Sequence, residues 1–256
     1  MATLATAYRT EIIKSKHTFA LWLAVLGAAF IPAVMFLIYL NRRESFVPKA
    51  GANPWTEFFG AAWNVVSFIF IPFFVVLLCT LVIGIEHKSN TWKQLFTLPV
   101  SKGTVYLSKL LIIISLAIAC YVLFIGFLLV SGTVLGLFRS GLGFLSHTPD
   151  LLPVLKTGFK SFVSVLGILG IHYWLSIRLK NMILPIGIGL VGIVTATILV
   201  NFWKNIVYYP YAFTIISTSP MFKPTGFFAD SEWYSLICFL IFSGLGYLDF
   251  RRFYRG

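Results

Sequence analysis

Long stretches without a charged side chain divide this sequence. An α-helix rises about 1.5 Å per residue, so about 20 apolar residues cross the hydrocarbon core of a bilayer. Four of the six uncharged runs reach that length. The two shorter runs, 161–177 and 233–248, are flanked by residues that anchor at the interface, namely Lys160, Trp233 and Tyr234. The pattern predicts six transmembrane helices, at about 19–40, 63–85, 108–131, 158–177, 182–200 and 234–250.

Composition excludes a soluble domain. Hydrophobic residues make up 59% of the chain and charged residues only 11%. Soluble domains carry roughly a quarter charged residues, because they must cover a core with a wet surface. The chain is therefore predicted to be an all-α membrane protein, with residues 1–256 forming a single transmembrane domain.

The distribution of Lys and Arg predicts the orientation in the membrane. Cytoplasmic loops carry an excess of these residues, and the excess favours both ends of the chain on the cytoplasmic side. The net charge of +12 is spread along the chain, which argues for contact with anionic lipid headgroups and against nucleic-acid binding. The predicted inner segments hold Arg9, Lys14, Lys16, Lys88, Lys93, Lys102, Lys109, Arg178, Lys180, Arg251, Arg252 and Arg255.

Residues 1–18 have the pattern of an amphipathic helix lying in the inner interface before the first span. A simple polar leader is the alternative. The apolar side chains recur at helical spacing on one face and the cations fall on the other, with Leu4, Tyr8 and Ile12 opposite Arg9, Lys14 and Lys16.

A seventh uncharged segment, 205–222, precedes the last span. It contains Pro210, Pro220 and many hydroxyl groups, so it is a poor candidate for a regular span. Irregular backbone at membrane depth requires protein or water to satisfy its polar groups. The segment is predicted to be a re-entrant or interfacial element, and an ordered loop is an equal alternative.

The inner loop between the second and third spans runs from Glu86 to Lys109. Pro99 ends a short helix in it, and Ser101 is placed to cap the helix that follows. Such a helix exposes an aromatic surface toward the cytoplasm, or else anchors the loop among lipid headgroups. Three side chains share one face at helical spacing, with Lys93 beside them: Trp92, Leu95 and Phe96.

Several kinds of chemistry are missing from the sequence. It has no phosphate-binding P-loop, no H-E-x-x-H motif and no Asp, Glu, Lys or Arg near the middle of a span. His172 is the one ionisable residue within a span, and we expect it to hydrogen-bond a neighbouring helix. Asp249 is expected to pair locally with Arg251 and Arg252. Such a chain either acts passively or is driven by a partner.

The inner loop resembles the first cytoplasmic loop of type-2 ATP-binding-cassette (ABC) permeases. The resemblance lies in residues 86–102, EHKSNTWKQLFTLPVSK, and in residues 106–110, YLSKL. It is closest to the branch associated with lantibiotic immunity and bacitracin export. The six spans, the leading amphipathic helix and the long last outer loop extend the likeness over the whole chain.

The resemblance implies that residues 86–107 form a coupling loop that docks on a separate ATPase subunit. Trp92, Leu95 and Phe96 would be the docking surface, with Thr91 in the same set. Lys93 would contact the ATPase, and Glu86 would tether the loop to the basic inner ends of neighbouring helices.

The function implied is that of an ABC exporter permease for an amphipathic substrate such as an antimicrobial peptide. It would reside in a bacterial cytoplasmic membrane. Two ATPase subunits would bind ATP and Mg²⁺, while this chain would hold no cofactor and pair with a second copy or a related permease. The alternatives are an ATP-independent membrane-embedded enzyme or lipid-handling protein, and a passive channel or regulatory anchor.

Overall fold

The computed structural model describes residues 3–16, 18–41, 53–89, 100–219 and 227–253. Within these ranges the chain is helical and contains no strand, so the predicted all-α class is confirmed. The longer elements are α1 (Leu4–Lys16), α2 (Phe19–Asn41), α3 (Pro54–Val65), a π-helical turn (Val66–Phe70), α4 (Ile71–Ser89), α5 (Lys102–Phe138), α6 (Leu151–Arg178), α7 (Ile183–Leu199), α8 (Phe213–Thr218) and α9 (Asp230–Phe253).

The described helices are consistent with about six spans. The second span is one continuous rod, in which the π-helical turn joins α3 to α4. α7 has 17 residues and is about 25 Å long, somewhat short for a hydrocarbon core of about 30 Å. Five stretches are long and apolar enough to cross a membrane by themselves: Phe19–Asn41, Pro54–Lys88, Lys102–Phe138, Leu151–Arg178 and Asp230–Arg252.

Several helices extend beyond the predicted spans because capping residues, and not the ends of uncharged runs, decide where they begin. α5 begins at Lys102, since Ser101 Oγ accepts a hydrogen bond from the Thr104 amide at 3.1 Å, as its position predicted. α3 begins at Pro54, where the Asn53 side chain accepts from the Trp55 amide. The outer loops are correspondingly shorter than expected.

The π-helical turn has a local cause and a distant partner. The Ile71 amide donates to the carbonyl of Val66, five residues back. The next amide in that register would belong to residue 72, which is Pro and has no N–H, so the Ser67 carbonyl loses its helical donor. Thr214 Oγ1 of α8 donates to that carbonyl at 3.1 Å. The break in the second span is therefore satisfied by the segment before the last span.

The described part of the predicted re-entrant segment is folded into the bundle. Two 3₁₀ turns, Lys204–Tyr208 and Pro210–Ala212, lead into α8. Tyr211 is buried, and its hydroxyl lies 2.9 Å from Nε2 of His172 on α6. These contacts pack the described part of the segment against α6, and they give His172 the hydrogen bond expected of it. The re-entrant placement of the segment in the membrane stays a prediction.

Glycines allow α6 and α9 to pack closely. A Cβ atom at Gly170 would lie 3.0 Å from the Cα of Phe239, and one at Gly167 would lie 3.3 Å from the Cα of Ser235. Ser235 Oγ also accepts a hydrogen bond from the Gly167 amide at 2.8 Å. Close backbone approach and interhelical hydrogen bonds stabilise helix pairs in membranes.

At the other end of the bundle, glycines of α5 allow large apolar side chains to pack closely. Gly132 lies against the Trp55 ring, and Gly136 lies against Leu145 and Phe144. The Trp55 indole N–H points at the carbonyl oxygens of Phe144 and His147, each 3.0 Å away. The loop after α5 is therefore fixed to the beginning of the second span.

We predict that Gly170→Ala destabilises the protein by about 1–3 kcal/mol, because the added methyl group meets the backbone of α9. Thermal unfolding of the purified chain in detergent measures this change. Gly244→Ala on α9 is the control, since nothing lies within 4 Å of its added Cβ. It should be neutral or stabilising by up to about 1 kcal/mol. Equal melting temperatures for the two variants would contradict the close packing.

We predict that Thr214→Val lowers stability by about 1–3 kcal/mol, because it keeps the shape of the side chain but leaves the buried Ser67 carbonyl without its donor. The same thermal measurement tests it. Thr133→Val is the control, since the exposed Thr133 hydroxyl bonds only to carbonyls of its own helix. A Thr214→Val variant as stable as Thr133→Val would show that the contact contributes little.

Candidate functional site

The two ends of the inner loop are joined by a buried ion pair. Glu86 lies in the last turn of α4 and Lys109 in the second turn of α5. Lys109 Nζ is 2.6 Å from Glu86 Oε1, and both side chains are 1% exposed. The loop between them is thus closed at its base by opposite charges.

The N-terminal helix α1 adds a second pair of charges. Glu11 Oε2 lies 3.1 Å from Lys109 Nζ, and Lys14 Nζ lies 3.3 Å from Glu86 Oε1. Glu11 and Lys14 are also paired with each other at 3.2 Å. We call these four residues the ionic clamp. It contains two carboxylates and two ammonium groups, so it is neutral as a unit.

Neutrality explains how such charges can be buried. Moving one ion out of water costs several kcal/mol, which only close partners of opposite charge offset. Burial lowers the pKa of Lys14, but the Glu11 and Glu86 carboxylates outweigh it and raise that pKa above its ordinary value. A raised lysine pKa means that its contribution to stability is lost only at strongly alkaline pH. Lys14 therefore stays charged throughout the neutral range.

The structure changes the expected apolar face of α1 at two residues, Leu4 and Glu11. Leu4, which was placed on the apolar face, is 39% exposed, whereas Glu11 is 6% exposed. Tyr8 and Ile12 are partly buried against the core, and the Tyr8 hydroxyl lies 2.7 Å from Ser115 Oγ of α5. α1 therefore packs on α5 through polar contacts as well as apolar ones.

Glu11 is the site residue that sequence reasoning missed. The sequence did single it out, because Glu11 is the one acidic residue before Glu44 in this basic chain. Glu86 was expected to lie against basic side chains, and it contacts Lys109 and Lys14. The other predicted coupling residues, Thr91, Trp92, Lys93, Leu95 and Phe96, lie outside the described residues, and their roles stay predictions.

The base of the loop is also bonded to α6 and α9. His87 Nε2 lies 3.0 Å from the carbonyl oxygen of Ser176. The Tyr173 hydroxyl donates to the Tyr106 carbonyl at 2.6 Å, and the Tyr106 hydroxyl donates to the Ser243 carbonyl at 2.7 Å. The base of the loop is therefore in direct contact with the fourth and last spans.

Asp249 has a different partner from the one expected. Its Oδ2 lies 2.8 Å from both the Arg178 guanidinium and the Trp174 indole nitrogen, whereas Arg251 and Arg252 are exposed. The cause is tertiary packing, because α6 ends beside α9 and places Arg178 next to the Asp249 carboxylate. Among the residues that the structure describes, no group of three or more His, Cys, Asp or Glu side chains is placed to hold a metal ion.

We predict that Lys109→Met destabilises the protein by about 3–5 kcal/mol, because it leaves buried carboxylates without compensation. Glu86→Gln should also destabilise it. The double variant removes one charge of each sign and leaves the Glu11–Lys14 pair, so it should recover much of the loss.

Thermal unfolding in detergent measures all three variants of the ionic clamp. Lys16→Met, which changes an exposed lysine of α1, is the control and should have little effect. Strictly additive losses in the double variant would show that the four charges do not act as one unit.

Comparison with known proteins agrees with this geometry. Residues 7–196, which run from α1 almost to the end of α7, match the family model described as ABC-2 family transporter protein. No curated protein matches the chain significantly. The family match covers well over half of the sequence, including all four residues of the ionic clamp. The chain therefore belongs to the ABC-2 family of transporter proteins and is a multi-pass membrane permease subunit.

Proposed function

We propose that this chain is the membrane subunit of an ABC exporter, driven by a separate ATPase that docks on residues 86–107. The observation that carries the proposal is the Glu86–Lys109 ion pair, which bridges the two ends of that loop at 2.6 Å. A loop with a fixed base transmits a push from a docked partner to both attached helices, whereas a loop with a loose base absorbs it.

The contacts around the loop support a route for this movement. The ionic clamp joins α4 and α5 to α1, so the three helices move together at the inner end. Farther along the second span, the π-helical turn is bonded to α8 through Thr214. Displacement of α4 would thus reach the re-entrant segment without a break in packing. Switching between packed arrangements of this kind is the usual basis of a conformational cycle.

The working unit would contain two ATPase subunits and two permeases, the second being another copy or a related chain. ATP and Mg²⁺ would be bound by the ATPases, and ATP would supply the free-energy difference between permease states. The membrane would be a bacterial cytoplasmic membrane, with both ends of the chain inside. Support for the shared sidedness comes from α5, whose first two turns contact both Glu11 and Phe250.

The substrate we propose is amphipathic, such as an antimicrobial peptide. Uncharged spans with exposed aliphatic and aromatic side chains suit a substrate that has an apolar surface better than they suit a small ion. α2 alone exposes Phe19, Trp22, Leu26 and Phe30 by more than half of their surface. Transporters of small ions usually carry ionisable side chains inside their spans.

Capture of the neighbouring ATPase tests this function. We expect Trp92→Ala combined with Phe96→Ala to weaken binding by at least about 2 kcal/mol, roughly thirty-fold in affinity, because aromatic side chains dominate docking surfaces. The measurement is a pull-down of the tagged full-length permease with any ABC ATPase encoded beside it, followed by titration of the complex and an ATP hydrolysis assay.

The matched control is Phe202→Ala combined with Trp203→Ala, which removes an exposed aromatic pair beyond the far end of α7. It should leave binding unchanged. If no ATPase associates, or if both double variants bind as well as the wild type, the loop is an interfacial anchor. The alternative hypothesis, an ATP-independent membrane-embedded enzyme or lipid-handling protein, would then explain the chain better.

A further inference from the structure

A half-open cavity of about 120 Å³ lies between α2, the second span and α5. We call it the lateral groove. Its wall includes the π-helical turn, so the break in the second span helps to shape it. Its lining includes Leu23 and Gly27 of α2, Phe70 and Phe74 of the second span, and Cys120 and Phe124 of α5.

The lateral groove is long in the direction of the spans. Its lining on the second span extends from Val66 to Leu77, a rise of about 16 Å at 1.5 Å per residue. The second span crosses the bilayer, so the groove follows the direction in which acyl chains lie. A slender, extended occupant fits this shape, and a globular one does not.

Among the described residues, the polar groups that line the groove are the weakly polar Cys120 thiol and one paired hydroxyl. None of the described residues that line it is charged, and its hydroxyl group, that of Tyr121, lies 3.0 Å from Ser161 Oγ. An apolar cavity of this size stays free of ordered water and accepts hydrocarbon, as engineered cavities of about 150 Å³ do. The apolar lining of the groove therefore favours an alkyl chain as its occupant.

The groove is also continuous with the lipid-facing surface. Phe70 lines it and is itself 38% exposed, and Phe30 of α2 packs beside Phe70 with ring centroids 5.5 Å apart. Leu26, next to the lining residue Gly27, is 58% exposed. A bilayer lipid can enter sideways from this surface without leaving the membrane.

We propose that the lateral groove binds one acyl chain of a bilayer phospholipid. The acyl chain fills the space beside the π-helical turn and makes dispersion contacts with side chains that would otherwise lack them. The same turn is bonded to α8 through Ser67 and Thr214, so the bound acyl chain stabilises the backbone against which the re-entrant segment packs. The proposal concerns lipid binding alone and does not depend on the ATPase.

Photolabelling tests the proposal on the full-length chain in phosphatidylcholine nanodiscs. A small fraction of the lipid carries a diazirine in its acyl chain, and labelled peptides are mapped by mass spectrometry. We expect stronger labelling at Leu23, Phe74 and Cys120 than at Leu240 and Ile241, which are exposed on α9.

Filling the groove should remove this labelling. A Cβ at Gly27 lies 3.4 Å from the Phe74 ring, an ordinary contact, so Gly27→Leu places its side chain in the groove without moving backbone. Labelling of the groove should fall several-fold, while labelling of α9 stays the same. Gly126→Leu on α5 is the matched control, because its added Cβ meets nothing within 4 Å. If Gly27→Leu does not fold, Cys120→Phe fills the same space.

Three results would overturn the proposal. Groove residues labelled no more than α9 would indicate ordinary lipid contact or coverage by a second copy of the chain. Unchanged labelling in Gly27→Leu would place the lipid elsewhere. Reaction of Cys120 with a charged, water-soluble thiol reagent would show that the groove is filled with water.

Discussion

A charge buried at the edge of a bilayer is tolerated only when opposite charges surround it, and this requirement organises the inner end of the protein. Lys109 could not be 1% exposed without Glu86 and Glu11 beside it. Their attraction draws α1 to α4 and α5, with Lys14 lying 72 residues before Glu86 and Glu11 lying 98 residues before Lys109. Tyr106 and Tyr173 link the same inner end of α5 to α6 and α9.

The same requirement applies to backbone groups deeper in the bundle. Pro72 removes a donor from the second span, and a membrane offers no water to replace it. Thr214 supplies the replacement from the segment before the last span. A defect in one helix thus fixes the position of another element, and it shapes the lateral groove on its other side. Charge organises the inner end of the bundle, and a carbonyl that lacks its helical donor organises the middle.

The spans could be predicted because they follow from one-dimensional information, the length of uncharged runs. The start of α5 could also be read locally, from Ser101. The buried role of Glu11 could not, because its partner Lys109 is 98 residues away in sequence and only the packing of α1 on α5 brings the two together. Asp249 was assigned to nearby arginines for the same reason, although α6 delivers Arg178 to it.

The separation of the ionic clamp along the chain has a consequence for biosynthesis. Glu11 and Lys109 are 98 residues apart, and two complete spans lie between them. When α1 leaves the ribosome, neither Glu86 nor Lys109 has yet been made. The newborn helix must therefore wait at the membrane surface, with its carboxylate hydrated, until the third span is inserted. The four charges of the ionic clamp can therefore come together only after the first three spans are in place.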